Sequence, residues 1–166
     1  MDATSRFLWG KDKMTDDVME ILLVEDDPQD VELTLRALQS DNLKNRIEVV
    51  RDGEEALDFL FCRGAYSGRS PNHPPKLVLL DLKLPKVDGL QVLQEIKASP
   101  ECRAIPVVIL TSSGEQRDVI ESYKLGVNSY IQKPVDIVQF RQTIKTLWLY
   151  WLVVNRLPPD KTFATK

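Results

Sequence analysis

Four short apolar runs in this sequence lead into residues that could do chemistry together. Ile21-Leu-Leu-Val24 runs into Glu25-Asp26-Asp27, and Leu77-Val-Leu-Leu80 into Asp81. Ile105-Pro-Val-Val-Ile-Leu110 runs into Thr111, and Asn128-Ser-Tyr-Ile131 leads to Lys133-Pro134. A short apolar run bounded by turn signals reads as a strand buried on both faces, as in a parallel sheet. In open α/β sheets, ligands bind beyond the carboxyl ends of the strands. All of these polar residues would therefore meet at one sheet edge. Three carboxylates (Glu25, Asp26 and Asp81) repel one another there unless a cation balances them. A hard divalent ion suits the site, because Mg²⁺ takes two carboxylates together with waters and a phosphate oxygen. Lys133 adds a point charge and Thr111 a hydroxyl for a phosphoryl oxygen. The set would make Asp81 a nucleophile towards phosphorus, giving an aspartyl phosphate. Taken singly, Thr111 is a strand terminus and Lys133 a solvated lysine. Asp27 before Pro28 is a helix cap. Only the joint placement at successive strand ends carries the chemical reading.

The elements that must position these groups alternate along the chain. After the first strand, Pro28 opens a helix to about Ser40, with Val31, Leu35 and Leu38 at helical spacing. Ile47-Glu-Val-Val50 is the second strand, and Asp52-Gly-Glu-Glu55 resembles a capping box for a helix carrying Ala56, Leu57, Leu60 and Phe61. Residues 62–75 hold Gly64, Gly68, Pro71, Pro74 and Pro75 and read as a long exposed loop. Its His73 is the single histidine and lacks a Cys or second His as co-ligand, so it reads as solvated. The strand to Asp81 comes next, then a helix from about Gly89 with Leu90, Leu93 and Ile96, stopped by Pro100. A fourth strand, Ile105–Leu110, precedes a helix with Val119, Ile120 and Tyr123. A fifth strand, Asn128–Ile131, precedes a last helix from near Asp136 to about Val153. Five strands alternating with five helices imply a doubly wound parallel sheet with right-handed crossovers. The domain reading is an amino-terminal extension at 1–18, one α/β domain at 19–153 and a tail at 154–166.

Composition narrows the function classes. At 166 residues the chain is about one domain, with ordinary hydrophobic (43%) and charged (28%) content. A net charge of −3 provides no general attraction for nucleic acid. Cys62 and Cys102 lie far apart in sequence, which suggests reduced thiols in a cytoplasmic protein. No apolar run approaches membrane-spanning length, and the first 14 residues have no secretory pattern.

Four motifs together resemble the response-regulator receiver domain: Leu22-Leu-Val-Glu-Asp-Asp-Pro28, Leu79-Leu-Asp-Leu-Lys-Leu-Pro-Lys-Val-Asp-Gly89, Ile109-Leu-Thr-Ser112 and Tyr130-Ile-Gln-Lys-Pro134. The resemblance spans about residues 19–150. It implies a flavodoxin-like (βα)5 fold with sheet order 2-1-3-4-5 and a Mg²⁺ cofactor. It also implies a sensor histidine kinase as phosphodonor. By the same resemblance Asp81 is the phosphoacceptor and Asp26 the direct metal ligand. Glu25 would reach the metal through water, and the Lys83 carbonyl would be the backbone ligand. Thr111 and Lys133 would grip the phosphate, and Tyr130 would turn inward when the threonine is drawn to the phosphoryl group. The Lys133–Pro134 bond would be cis.

Lys83, two residues after the acceptor, departs from the commonest family pattern. A long cation there is expected to alter access of the attacking water and so change phosphate lifetime. Too few residues follow the last helix for a DNA-binding or enzymatic effector, so the expected output is a surface change read by an unknown downstream protein, or self-association. Ile137, Phe140, Ile144, Leu147, Trp148 and Trp151 form one apolar face suited to docking on the sheet. Trp148, Leu149, Tyr150, Leu152 and Val153 extend the apolar zone and are expected to form a homodimer interface. The Trp-rich carboxyl end and the 62–75 loop resemble response regulators that partner cyanobacterial phytochromes.

Rival readings exist. A haloacid-dehalogenase-type phosphatase would need a second acid where Lys83 stands. A nucleotide-binding flavodoxin-like protein would need a phosphate cradle after a strand, which the sequence lacks. A non-phosphorylated receiver acting as an interaction module is the remaining alternative, separated by Mg²⁺ dependence.

Overall fold

The computed structural model describes residues 20–39, 46–133 and 136–156. In chain order the elements are β1 (Glu20–Val24), α1 (Pro28–Gln39), β2 (Arg46–Val50), α2 (Gly53–Leu60), β3 (Leu77–Leu80), α3 (Gly89–Ala98), β4 (Val107–Thr111), α4 (Gln116–Lys124), β5 (Ser129–Gln132) and α5 (Ile137–Trp148). The five strands form one parallel sheet in the order β2-β1-β3-β4-β5. This is the doubly wound sheet expected from the alternation of strands and helices, in the flavodoxin-like order that the receiver resemblance implies.

Successive strand side chains point to opposite faces, and both faces are covered. Leu22, Val24, Val78, Leu80, Val107 and Ile109 pack with α2 and α3 on one side. Ile21, Leu23, Leu77, Leu79, Val108 and Leu110 pack with α1 and α5 on the other. The continuous apolar run of β3 is explained by this double coverage, since none of Leu77–Leu80 is more than 1% exposed. Fully burying one such leucine stabilises the fold by about 1.5–3 kcal/mol. The central strand therefore holds its carboxyl end in a fixed place.

Local chemistry sets the element ends. Asp27 Oδ1 accepts from the backbone N–H groups of Gln29 (2.8 Å) and Asp30 (3.4 Å), the expected cap of α1. Asp52 accepts from Glu55 N at 2.8 Å, while the Glu55 carboxylate reaches back to Arg51 N at 3.1 Å. The capping box thus closes one residue earlier than the standard pattern. Phe61 caps α2 rather than lying within it.

Several boundaries differ from the sequence reading for identifiable reasons. β4 begins at Val107, not Ile105, because Ile105 N donates to Cys102 O in the preceding turn and Pro106 has no N–H. β5 is Ser129–Gln132, shifted by one, because the Asn128 side chain accepts from Val107 N and stays outside the strand. The 62–75 segment is not wholly exposed. It contains a 3₁₀ turn at Gly64–Tyr66 whose Tyr66 is buried, and Pro75 is buried too. His73 is exposed, as expected. In α4 the buried residue is Ser122, whose hydroxyl donates to Asp118 O, while Ile120 (47%) and Tyr123 (53%) face solvent. The last helix also changes winding. α5 ends at Trp148, and Leu149–Val154 continues as a π-helix in which Asn155 N donates to Tyr150 O, five residues back.

Candidate functional site

The sheet order places the carboxyl ends of β1, β3 and β4 side by side. Val24 pairs with Leu80 and Leu80 with Ile109, so Glu25, Asp81 and the end of β4 lie in adjacent positions. Asp81 N donates to Val24 O and Glu25 N to Val50 O, which extends the ladder to the site itself. Asp81 is 6% exposed, Glu25 3% and Thr111 0%, whereas Asp26 is exposed. Carboxylate oxygens of Glu25, Asp26 and Asp81 lie within 4.8 Å of one another. An all-oxygen set of three carboxylates at this spacing fits a hard divalent cation.

Lys133 supplies the balancing positive charge. Its Nζ donates to Glu25 Oε2 at 2.6 Å, Asp30 Oδ2 at 2.8 Å and Asp81 Oδ2 at 3.3 Å. The backbone brings it there, because Lys133 N donates to Thr111 O at 2.7 Å at the end of the β4–β5 ladder. Burial opposes the ammonium, but hydrogen bonds to Asp30 and Glu25 outweigh it and hold Lys133 above its ordinary value. Burial pushes Glu25 up to about 7, with the Lys133 hydrogen bond opposing and the Asp81 charge adding to the rise. A bound cation would act the other way, favouring the ionised carboxylate.

Two glycines let the β3–α3 loop lie against Asp81. A Cβ on Gly89 would sit 2.2 Å from Asp81 O and 2.5 Å from Leu82 Cα, and Gly89 N donates to Leu82 O at 2.8 Å. A Cβ on Gly53 would sit 1.8 Å from Val87 O. Between them Lys86 takes a left-handed φ of 66° and pairs with Asp52 (3.6 Å) and Glu54 (3.7 Å). The loop thereby fixes Lys83, whose N–H donates to Asp81 Oδ1 at 3.4 Å and whose side chain is exposed. A cavity of about 530 Å³ opens beside the site, lined among others by Asp26, Lys83, Asp88, Glu115 and Asp118.

On the β4 side, Thr111 Oγ1 accepts from Ser113 N at 3.3 Å. The half-buried Tyr130 donates its hydroxyl to Ser113 O at 2.8 Å and packs its ring against the α2–α3 core. Burial first, partly offset by that hydrogen bond, raises its phenol above the usual range, and the Asp118, Glu115 and Asp81 charges add to the effect. Tyr130 and Thr111 are therefore joined through one residue, Ser113.

The structure thus gathers Glu25, Asp26, Asp81, Lys83, Thr111, Tyr130 and Lys133 at one sheet edge. Pro134 lies outside the described residues, and with it the expected cis bond. Of the interface candidates, Leu149 and Tyr150 are 51% and 50% exposed. The side chains of Trp148, Leu152 and Val153 lie outside the description, as does that of Ile137. Phe140 and Ile144 are buried, and Leu147 and Trp151 pack on the same core, as the docking face requires. Sequence reasoning missed Asp30, Ser113 and the Glu55–Tyr66 bond of 2.7 Å that anchors the 64–66 turn. The available signal for Asp30 was its place in the first turn of α1, directly over the end of β1.

This fold and site define a receiver, and the chain belongs to the response regulator receiver domain family, which matches residues 21–145. It is a signalling protein of the two-component type, related to cyanobacterial phytochrome response regulators. The structure of the phosphorylated cyanobacterial phytochrome response regulator RcpA superposes with a TM-score of 0.80 at 41% identity, covering 85% of this chain and 99% of that one. Response regulator Rcp1 of Synechocystis is 41% identical over 138 residues, 83% of this chain and 92% of its own. Its Mn²⁺-bound structure has a TM-score of 0.78 at 39% identity, covering 84% of this chain and 99% of that one. The probable methanogenesis regulatory protein FilR2 of Methanothrix harundinacea is 45% identical over 143 residues, 86% of this chain and 90% of its own. Among the described residues no helix is long and apolar enough to cross a membrane.

Proposed function

We propose that this protein accepts a phosphoryl group onto Asp81 from the phosphohistidine of a phytochrome-class sensor kinase. The observation that carries this reading is the buried Asp81 carboxylate facing the Lys133 ammonium at 3.3 Å, with Glu25 and Asp26 alongside. Glu25, Asp26, Asp81 and the Lys83 carbonyl would hold Mg²⁺, with Glu25 acting through water. Bound there, the ion would neutralise charge on the attacking carboxylate and the phosphoryl oxygens. An Asp81 oxygen attacks phosphorus in line, and the P–N bond to the donor imidazole breaks with its electron pair passing to nitrogen. Lys133 meets a phosphoryl oxygen as charge shifts onto it, and Thr111 donates its hydroxyl to another. Movement of Thr111 towards the phosphoryl group would pull on Ser113 and hence on the Tyr130 hydroxyl, altering the β4–α4 surface. Exposed Leu149, Tyr150 and Val154 support a homodimer through the end of the last helix as part of the output.

The partner assignment rests on the relation to RcpA and Rcp1. It is tested by incubating the protein with labelled phosphorylated histidine kinases, one a phytochrome and one unrelated. Label is expected to pass faster from the phytochrome, to require a divalent ion, and to be lost in Asp81→Asn. Equal transfer from both kinases would sink the phytochrome assignment, and no transfer from either would sink the acceptor role.

A further inference from the structure

We propose that Asp30 is a positioning residue for phosphoryl acceptance, holding the Lys133 ammonium so that its third N–H is aimed at Asp81 Oδ2. The proposal rests on the phosphoacceptor reading of Asp81. A lysine ammonium has three donors and no acceptor. Two are committed to short contacts, Glu25 at 2.6 Å and Asp30 at 2.8 Å, and the third makes the longest, to Asp81 at 3.3 Å. The loosest contact is thus the one that a phosphoryl oxygen on Asp81 would replace.

Asp30 is placed for this task by its helix. Its backbone N–H is capped by Asp27, which fixes the first turn of α1 over the end of β1. Its side chain is 36% exposed, against 4% for Glu25, so it holds the ammonium from the solvent side. Asp30 also stands apart from the Glu25–Asp26–Asp81 group that could hold a cation. When Glu25 serves a metal, Asp30 is the carboxylate that remains on Lys133. Without it the flexible lysine stem would spread over several rotamers, or sink between Glu25 and Asp81 and compete with the cation.

The test uses the full chain with Mg²⁺ and beryllofluoride, a stand-in for the phosphoryl group, read by fluorine NMR. Asp30→Ala and the cap-sized Asp30→Asn are expected to bind beryllofluoride about tenfold more weakly, and Asp30→Glu to restore binding to within about twofold. Nitrogen NMR without beryllofluoride supplies a second readout. The Lys133 ammonium signal should be sharp in the wild type and in Asp30→Glu, and broadened in the other two. Unchanged or tighter beryllofluoride binding in Asp30→Ala, or a Lys133 signal insensitive to all three substitutions, would overturn the positioning role. If the wild type itself binds no beryllofluoride, the acceptor reading falls and this proposal falls with it. Normal wild-type binding with an indifferent Asp30→Ala removes this proposal alone.

Discussion

Around Asp81, carboxylates share the Lys133 ammonium, so the sign of a substitution depends on which partner it removes. Asp81→Asn deletes one of three crowded negative charges and is expected to raise metal-free stability by about 1 kcal/mol. Lys133→Met leaves buried carboxylates uncompensated and is expected to cost about 3–5 kcal/mol. Urea unfolding in chelator checks both, and a Lys133→Met protein as stable as the wild type would contradict the charge account. Lys83 stands exposed beside Asp81, its N–H donating to Asp81 Oδ1. Removing its stem in Lys83→Ala should open the path for water and shorten phosphate lifetime by about two- to fivefold. An unchanged dephosphorylation rate would dismiss this role. Glu25, Asp26, Asp81, Thr111 and Lys133 were legible in the sequence because each follows closely on an apolar strand. Asp30 was not, because its partner lies 103 residues away and its place in the first turn of α1, the one local sign, is shared by many helix-starting acids.

At the scale of elements, the site depends on how closely the β3–α3 loop can approach. Gly89→Ala would drive a Cβ into the backbone of Asp81 and Leu82, atoms that cannot step aside. It is expected to cost about 3 kcal/mol or more and to weaken divalent-ion binding together with stability. Gly68→Ala meets nothing within 4 Å and serves as the neutral control. Thermal melts with and without Mg²⁺ compare them, and a Gly89→Ala protein matching the control would refute the close-approach argument. The strands were readable because Ile21–Val24, Leu77–Leu80 and Val107–Leu110 are unbroken apolar runs, while their order came from the receiver resemblance. Their ends were less so, since Asn128 and Pro106 act through side-chain or missing backbone bonds. The outward turn of Ile120 and Tyr123 was hidden for another reason. Helical spacing locates an apolar stripe but does not say that Ser122 will be the residue packed inward. Tyr66 was hidden by its setting among glycines and prolines, although its ring stacks edge-on with Phe59 at 5.1 Å.

At the scale of the whole molecule, the proposed acceptor role requires the buried Asp81 to communicate with a surface. Ser113 links the site to Tyr130, while Leu149, Tyr150 and Val154 present exposed apolar area where α5 gives way to π winding. A homodimer through this end is expected by sedimentation. Leu149→Glu combined with Tyr150→Glu should reduce it to monomer while leaving phosphorylation intact. A wild type that sediments as a monomer with and without Mg²⁺ and a small phosphodonor would discard that interface. All of this depends on the chemistry at one carboxylate. The most direct test is the intact mass of the protein after incubation with Mg²⁺ and acetyl phosphate. The account predicts a gain of one phosphoryl group that is lost with chelator and absent in Asp81→Asn. A wild type that gains no mass, or an Asp81→Asn protein that gains it equally, would contradict the assignment of Asp81 as acceptor.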